Sequence, residues 1–201
     1  MIVIVDYGMG NLRSVQKAFE RSGKKAIISS DPNVVLQANK VVLPGVGAFH
    51  ACVNNLTKSN LVEPIREAIQ KKKPFLGICM GLQVLFEEGE EFGNHKGLGI
   101  IPGKVVRFKL PKKFKIPHMG WNRILRKKQV PLLGEVGENA FFYFVHSYHV
   151  LPQNSSIIAT TTDYGREFVS SIELDNIFAC QFHPEKSQTA GLKLIKAFAH
   201  L

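Results

Sequence analysis

Phe75-Leu-Gly-Ile-Cys79-Met-Gly-Leu-Gln-Val-Leu-Phe86 is the stretch that decides how this chain folds. Phe75 to Ile78 is apolar without alternation, the mark of a strand buried on both faces. Pro74, just before it, ends whatever helix precedes. Gly77-Ile-Cys79-Met-Gly81 then turns the chain sharply, and Leu82, Leu85 and Phe86 predict an amphipathic helix directly after it. Strand, tight glycine turn and helix form the elbow that lifts a nucleophile above the edge of a parallel sheet.

Working outward, the first half repeats the same alternation. Ile2 to Val5 is a buried strand; Leu12, Val15 and Phe19 mark one helix face that stops at Gly23. Ala26 to Ser29 and Val41 to Leu43 are the next strands, and Asn60 to Lys73 is a helix with Leu61, Ile65 and Ile69 on one side. This order predicts a parallel sheet covered on both faces. The second half is richer in strands: Val105 to Leu110, Ala140 to Val150, Ile157 to Thr162, Phe168 to Ile172 and Ile177 to Phe182, then a helix from Thr189 to His200. No repeat or dividing linker interrupts it, so residues 1–201 are expected to form one α/β domain with a mixed sheet.

Composition narrows the class. The 201 residues suffice to bury about 70% of the unfolded surface. A hydrophobic fraction of 45% and a charged fraction of 21% exclude disordered, collagen-like and disulfide-scaffold classes. Twenty-six Lys and Arg against 16 Asp and Glu give a net charge of +10. Ten of the basic residues fall in 104–128, which has no acidic residue, so the rest of the chain is neutral. No apolar run approaches the ~18 residues of a membrane span. The start has no basic leader region, and Cys52, Cys79 and Cys180 are odd in number and far apart. A soluble, cytoplasmic protein is expected.

Cys79 is the candidate nucleophile. A free thiol titrates near ~8.5, so a thiolate is favoured by the positive end of a following helix. By itself this elbow equally fits a glycine turn around a small buried side chain. A base elsewhere separates the two, and Cys180-Gln-Phe182-His183-Pro184-Glu185 offers one. His183 follows an apolar strand, and Glu185, two residues on, falls on the same side of an extended chain and can orient it. Cys52 reads as a helix residue and Cys180 as strand filling. Leu43-Pro-Gly45-Val-Gly47-Ala-Phe49 adds a glycine loop at another strand end. An acyl-transfer site needs two N–H donors for the developing oxyanion, each worth about 3–4 kcal/mol of barrier. Met80, after the nucleophile, and an amide of this loop are the candidates.

Gly77-Ile-Cys79-Met-Gly81-Leu-Gln83 together with Phe182-His-Pro-Glu185 resembles the triad-type glutamine amidotransferases. Asp6-Tyr-Gly-Met-Gly-Asn-Leu12, the loop at Leu43 to Phe49, Pro117-His-Met-Gly-Trp-Asn122 and Phe144-Val-His-Ser-Tyr148 narrow the match, and together they resemble the glutaminase subunits of imidazole glycerol phosphate synthases. Met80 and Leu82 stand where the family pattern has Leu or Val and then Met, an apolar exchange. The resemblance implies a three-layer flavodoxin-like sandwich with a central, mostly parallel mixed sheet. It implies a Cys79-His183-Glu185 triad releasing ammonia from L-glutamine through a thioester, with Val46 and Met80 as oxyanion donors. Gly45, Gly47, Gln83, Glu91, Ser147 and Tyr148 match positions around the bound glutamine. Trp121, Tyr143 and Lys186 are implied at the contact with a (β/α)₈-barrel synthase (cyclase) subunit, in a heterodimer of histidine biosynthesis. No cofactor and no metal are implied, and the histidines lack ligand spacing.

Other readings compete. A related amidotransferase could feed ammonia to a different synthase, such as one amidating a sugar, and a cysteine hydrolase of thioesterase type would act without a partner. The basic segment, with Phe108, Phe114 and Trp121 interleaved, could bind nucleic acid. Against that, Arg13 occupies the third glycine position of a phosphate fingerprint. The segment is instead expected to steer docking on an acidic barrel rim.

Overall fold

The computed structural model describes residues 1–201. Its first half alternates as the pattern predicts: β1 (Ile2–Val5), α1 (Leu12–Arg21), β2 (Ala26–Ser29), α2 (Pro32–Gln37), β3 (Lys40–Gly45), α3 (Phe49–Lys58), α4 (Val62–Gln70), β4 (Phe75–Cys79) and α5 (Met80–Gln83). Helix α2 has no counterpart in the sequence reading because its six residues are too few to show a period. It is defined by its start, where Pro32 opens the helix and the Asp31 side chain accepts the Asn33 N–H. Helix α4 is shorter than the apolar spacing suggests, because Asn60 and Lys72 take φ of 55° and 57° at its two ends.

The second half runs β5 (Phe86–Gly89), β6 (His95–Lys96), β7 (Ile101–Arg107), β8 (His118–Arg123), β9 (Leu125–Arg126), β10 (Phe141–His146), β11 (Tyr148–Pro152), β12 (Ile158–Asp163), β13 (Glu167–Leu174), β14 (Ile177–Cys180) and α6 (Gln188–His200). Eight strands form the main sheet in the order β2-β1-β3-β4-β14-β13-β12-β9. The first five are mutually parallel, and antiparallel strands extend the sheet beyond β14. The parallel part has the flavodoxin-like strand order, in which ligands meet the sheet at its carboxyl edge.

Two cores lie on the two faces of this sheet, and the period of two along each strand feeds both. Val3 and Val5 face one core with Val41, Leu43 and Phe75, while Ile2 and Ile4 face the other with Val42, Leu76 and Ile78. Helices α2, α3 and α4 cover the first face, through Val35, Leu56 and Ile65. Helices α1 and α6 cover the second, through Val15, Phe19, Leu194 and Phe198. The result is the three-layer sandwich expected.

Two expectations need correction. The helix after the elbow is a single turn, and Phe86 opens a strand instead of continuing it. The carbonyls of Val84, Leu85 and Phe86 accept from Leu98, Ile100 and Gly99, so they are not available to an i→i+4 ladder. Nor is Ala140 to Val150 one strand. It breaks at Ser147, with β10 pairing antiparallel to β8 in a two-stranded sheet and β11 pairing to β7 in a separate four-stranded one. No helix is long and apolar enough to cross a membrane.

Candidate active site

Cys79 ends β4 with φ 55° and ψ −107°, a backbone that L residues avoid. The turn is held from both sides. Register places Cys79 beside Gly45 of β3, and a Cβ at Gly81 would lie 1.8 Å from the Leu43 carbonyl oxygen, so only glycine lets the turn pack back on β3. The thiol opens onto a cavity of about 240 Å³, the scale of a small metabolite. His183 lines the same cavity, reached from the end of β14.

Glu185 stands behind His183, its Oε1 accepting from His183 Nδ1 at 2.8 Å with both side chains buried. The backbone that achieves this is not the extended one expected: Pro184–Lys186 form a 3₁₀ turn that folds Glu185 back under the ring. Burial by itself would lower the His183 pKa; the charge of Cys79, then contact with Cys79 and Glu185, outweighs it and raises the pKa to about 10. His183 Nε2 is buried and completes no hydrogen bond within the chain, so the influence of Cys79 is chiefly that of charge. The ring is held through its main chain as well. His183 N–H donates to the Tyr143 carbonyl, and the Ser187 hydroxyl links the Tyr143 N–H to the His183 carbonyl.

The other thiols differ in kind. Burial pushes Cys52 up to about 11 and Cys180 well above its ordinary value. Cys52 lies on α3 and donates to the Val46 carbonyl at 3.5 Å; Cys180 fills β14 and donates to main-chain carbonyls.

Of the residues matched to a bound glutamine, Gly47, Gln83, Glu91, Ser147 and Tyr148 line the cavity, as do Val46 and Met80. Gly47 takes φ +92°, a left-handed backbone in the loop that lines the cavity. Gly45 does not line it; it sits behind, where a Cβ would meet the Tyr7 hydroxyl at 2.3 Å and Met80 Cβ at 2.8 Å. Glu91 is fixed by the start of α3, its Oε2 accepting the Phe49 N–H at 2.7 Å. Pro117, Val145 and His146 also line the cavity, and Gln181 donates to Cys79 Sγ at 3.6 Å. The sequence reading assigned these four no role. His146 lies inside a stretch already singled out, and Gln181 lies two residues before His183, so position was the available signal.

Comparison with known proteins now decides the family. A family model described as glutamine amidotransferase class-I matches residues 3–200. The chain belongs to the class-I glutamine amidotransferases. Within them it belongs with HisH: imidazole glycerol phosphate synthase subunit HisH of Syntrophotalea carbinolica is 53% identical over 206 residues, 100% of each chain. The same-named subunit of Aquifex aeolicus is 55% identical over 197 residues, covering 98% of this chain and 94% of that one. Solved structures agree on the fold. A crystal structure of a glutamine amidotransferase matches with TM-score 0.77 at 15% identity over 100% of both chains. The structure of PurLQS from Thermotoga maritima gives TM-score 0.76 at 15% identity over 99% of this chain and 97% of that one.

In this class-I amidotransferase, Trp121, Tyr143 and Lys186 form one cluster beside the site. Trp121 is 47% exposed, which excludes it from the core. It pairs with Tyr143 across β8 and β10, and Lys186 Nζ sits 5.8 Å from the Tyr143 ring centre. Met119 and Phe141 extend the apolar surface on these two strands. The basic segment is less uniform than its sequence. Lys104, Lys127 and Lys128 pair with Glu88, Glu167 and Glu173, and Arg126 donates to the carbonyls of Leu133 and Val136. The charge without an acidic partner is thus left on exposed Arg107, Lys109, Lys112, Lys113 and Lys115, which lead from β7 toward β8, and on Arg123 at the end of β8. No group of three or more His, Cys, Asp or Glu side chains is arranged to hold a metal ion.

Proposed function

We propose that this chain is the glutaminase subunit of an imidazole glycerol phosphate synthase, a single cytoplasmic domain that works as a heterodimer with a (β/α)₈-barrel synthase subunit in histidine biosynthesis. One observation carries the chemistry: Cys79 and His183 line one small cavity while Glu185 holds His183 from behind. The full-length likeness to HisH subunits supports the choice of synthase over a sugar-amidating relative.

The reaction follows from the placement. The imidazolium of His183 stabilises the Cys79 thiolate, which attacks the side-chain carbonyl carbon of glutamine. The carbonyl oxygen becomes an oxyanion facing the N–H groups of Met80 and Val46. His183 gives its proton to the departing nitrogen, ammonia leaves, and a glutamyl thioester remains on Cys79. His183 then takes a proton from water, which cleaves the thioester to glutamate and restores the thiolate. The Glu91 carboxylate, at the cavity wall, suits the α-ammonium of glutamine. The cluster of Trp121, Tyr143 and Lys186 lies next to His183, so a barrel seated there receives ammonia directly.

The test is glutamate release with and without the barrel subunit and its ribulosyl ribonucleotide substrate. Little release alone, strong release in the loaded complex and ammonia recovered in the imidazole product are expected. Fast hydrolysis alone, indifferent to the partner, would overturn the reading. Changing Lys112, Lys113 and Lys115 to Glu together should slow association with the barrel subunit by about tenfold at low salt while dissociation barely changes. Stopped-flow mixing measures this, and an unchanged association rate would make the patch plain solvated surface.

A further inference from the structure

A second polar system ends on Cys79, and it fixes its own hydrogen positions. Gln181 is fully buried; its Nε2 donates to Cys79 Sγ at 3.6 Å and its Oε1 accepts from Gln83 Nε2 at 2.8 Å. That second contact determines which end of the carboxamide faces the sulfur. Gln83 Nε2 also donates to the Tyr148 carbonyl at 3.1 Å, and His146 Nδ1 reaches the same oxygen at 2.8 Å. A carbonyl only accepts, so His146 carries its hydrogen on Nδ1 and leaves Nε2 as an acceptor. His118 Nδ1 lies 3.0 Å from that Nε2, so His118 too is protonated on Nδ1, and its own Nε2 accepts from Asn122 Nδ2 at 3.2 Å. Asn122 is anchored in turn: its Nδ2 donates to the Asp163 carbonyl and its Oδ1 accepts from Arg123 N–H. Burial lowers His118 to about 4 and His146 to about 3, which keeps both rings neutral near pH 7.

We infer that Gln181 is a further catalytic residue, the donor that holds Cys79 sulfur in its anionic form, and that His118 and His146 are positioning residues acting on Gln181 through the Tyr148 carbonyl and Gln83. The inference rests on Cys79 being the nucleophile of the proposed glutaminase. The chain conducts no protons, because two donors converge on the Tyr148 carbonyl. Its work is orientation. An N–H aimed at sulfur favours the thiolate before attack, and favours it again as the leaving group when water cleaves the thioester. The origin of the chain matters as well. His118 and Asn122 belong to β8, the strand that presents Trp121, while the main chain of β10 holds His183. One two-stranded sheet therefore supports the nucleophile through side chains and the base through its backbone.

Imidazole ¹⁵N spectra of the unaltered protein at pH 7 provide the first test. His118 and His146 should both appear as neutral rings protonated on Nδ1; Nε2–H tautomers at either would overturn the chain. Iodoacetamide alkylation of Cys79, followed by peptide mapping, provides the second and requires no glutamine. Gln181→Met should slow it about tenfold at pH 7. His118→Phe keeps the ring stacked between Phe144 and Tyr164 but makes no hydrogen bond, and should slow alkylation about threefold. His118→Asn, which returns a donor near the Nδ1 position, should restore the rate to within about twofold. Wild-type rates in folded Gln181→Met or His118→Phe protein would overturn the inference. Glutamine hydrolysis that persists in Cys79→Ala would instead overturn Cys79 as the nucleophile, and with it the catalytic role of Gln181, whatever the alkylation rates.

Discussion

Cys79→Ala should lose glutamine-dependent synthesis in the assembled complex by at least about 10⁴-fold, while synthesis from added ammonium salt continues. The separation follows from the division of labour in the proposed reaction, since only ammonia crosses to the synthase. Alanine keeps a Cβ, so the backbone at φ 55° stays as strained as before and the elbow is not remodelled. The main disturbance is that Gln181 Nε2 loses the sulfur it faces. Cys79→Gly makes a sharper companion. It should be equally inactive, yet it relieves the positive φ, and its melting temperature should exceed that of the alanine variant by about 2–4 °C. A glycine variant no more stable than alanine would show that the elbow carries no strain. Loss of ammonium-dependent synthesis together with glutamine-dependent synthesis, in a complex that still assembles, would contradict the division of labour.

The parallel half of the fold was legible because strands buried on both faces give unbroken apolar runs; β1 and β4, buried at every position, begin where their residues predict. The helix after the elbow misled because Val84, Leu85 and Phe86 are all fully buried, and a segment buried on every side carries no period to distinguish helix from strand. The break at Ser147 was hidden for a related reason. Phe142, Phe144, His149 and Val150 are buried in both strands, so the residue pattern runs on while the pairing partner changes. At the site, Cys79 and His183 were legible from glycines and position. Gln181, His146 and His118 were not, because a buried polar side chain discloses its role only through the partners that satisfy it. Net charge was the least informative signal. Acidic partners and main-chain carbonyls engage Lys104, Arg126, Lys127 and Lys128, and the glutamates that pair with Lys127 and Lys128 lie 40 or more residues away.

Glu185→Gln should lower kcat for glutamine hydrolysis by about 10²- to 10⁴-fold with little change in KM. KM is spared because Glu185 stands behind His183, outside the cavity lining. The loss in kcat comes from tautomer and charge. Glu185 Oε1 accepts from His183 Nδ1, which leaves Nε2 to exchange a proton with Cys79 and the departing nitrogen. An amide at 185 can turn its NH₂ toward Nδ1, forcing the ring to accept there and to carry its proton on Nε2. The ring is then neutral and cannot receive the thiol proton. Stability provides an independent check. The folded pKa of His183 is raised from 6.5 to about 10, so its contribution is complete below about pH 6.5 and is lost as pH rises through about 10. Melting temperature of the wild type should therefore fall between pH 7 and 10, and Glu185→Gln, whose ring is less readily protonated, should fall less over the same range. Equal slopes with an unchanged kcat would mean that His183 owes neither its proton nor its orientation to Glu185. The bonds that Tyr143, Lys186 and Ser187 make to its main chain would then restrain the base.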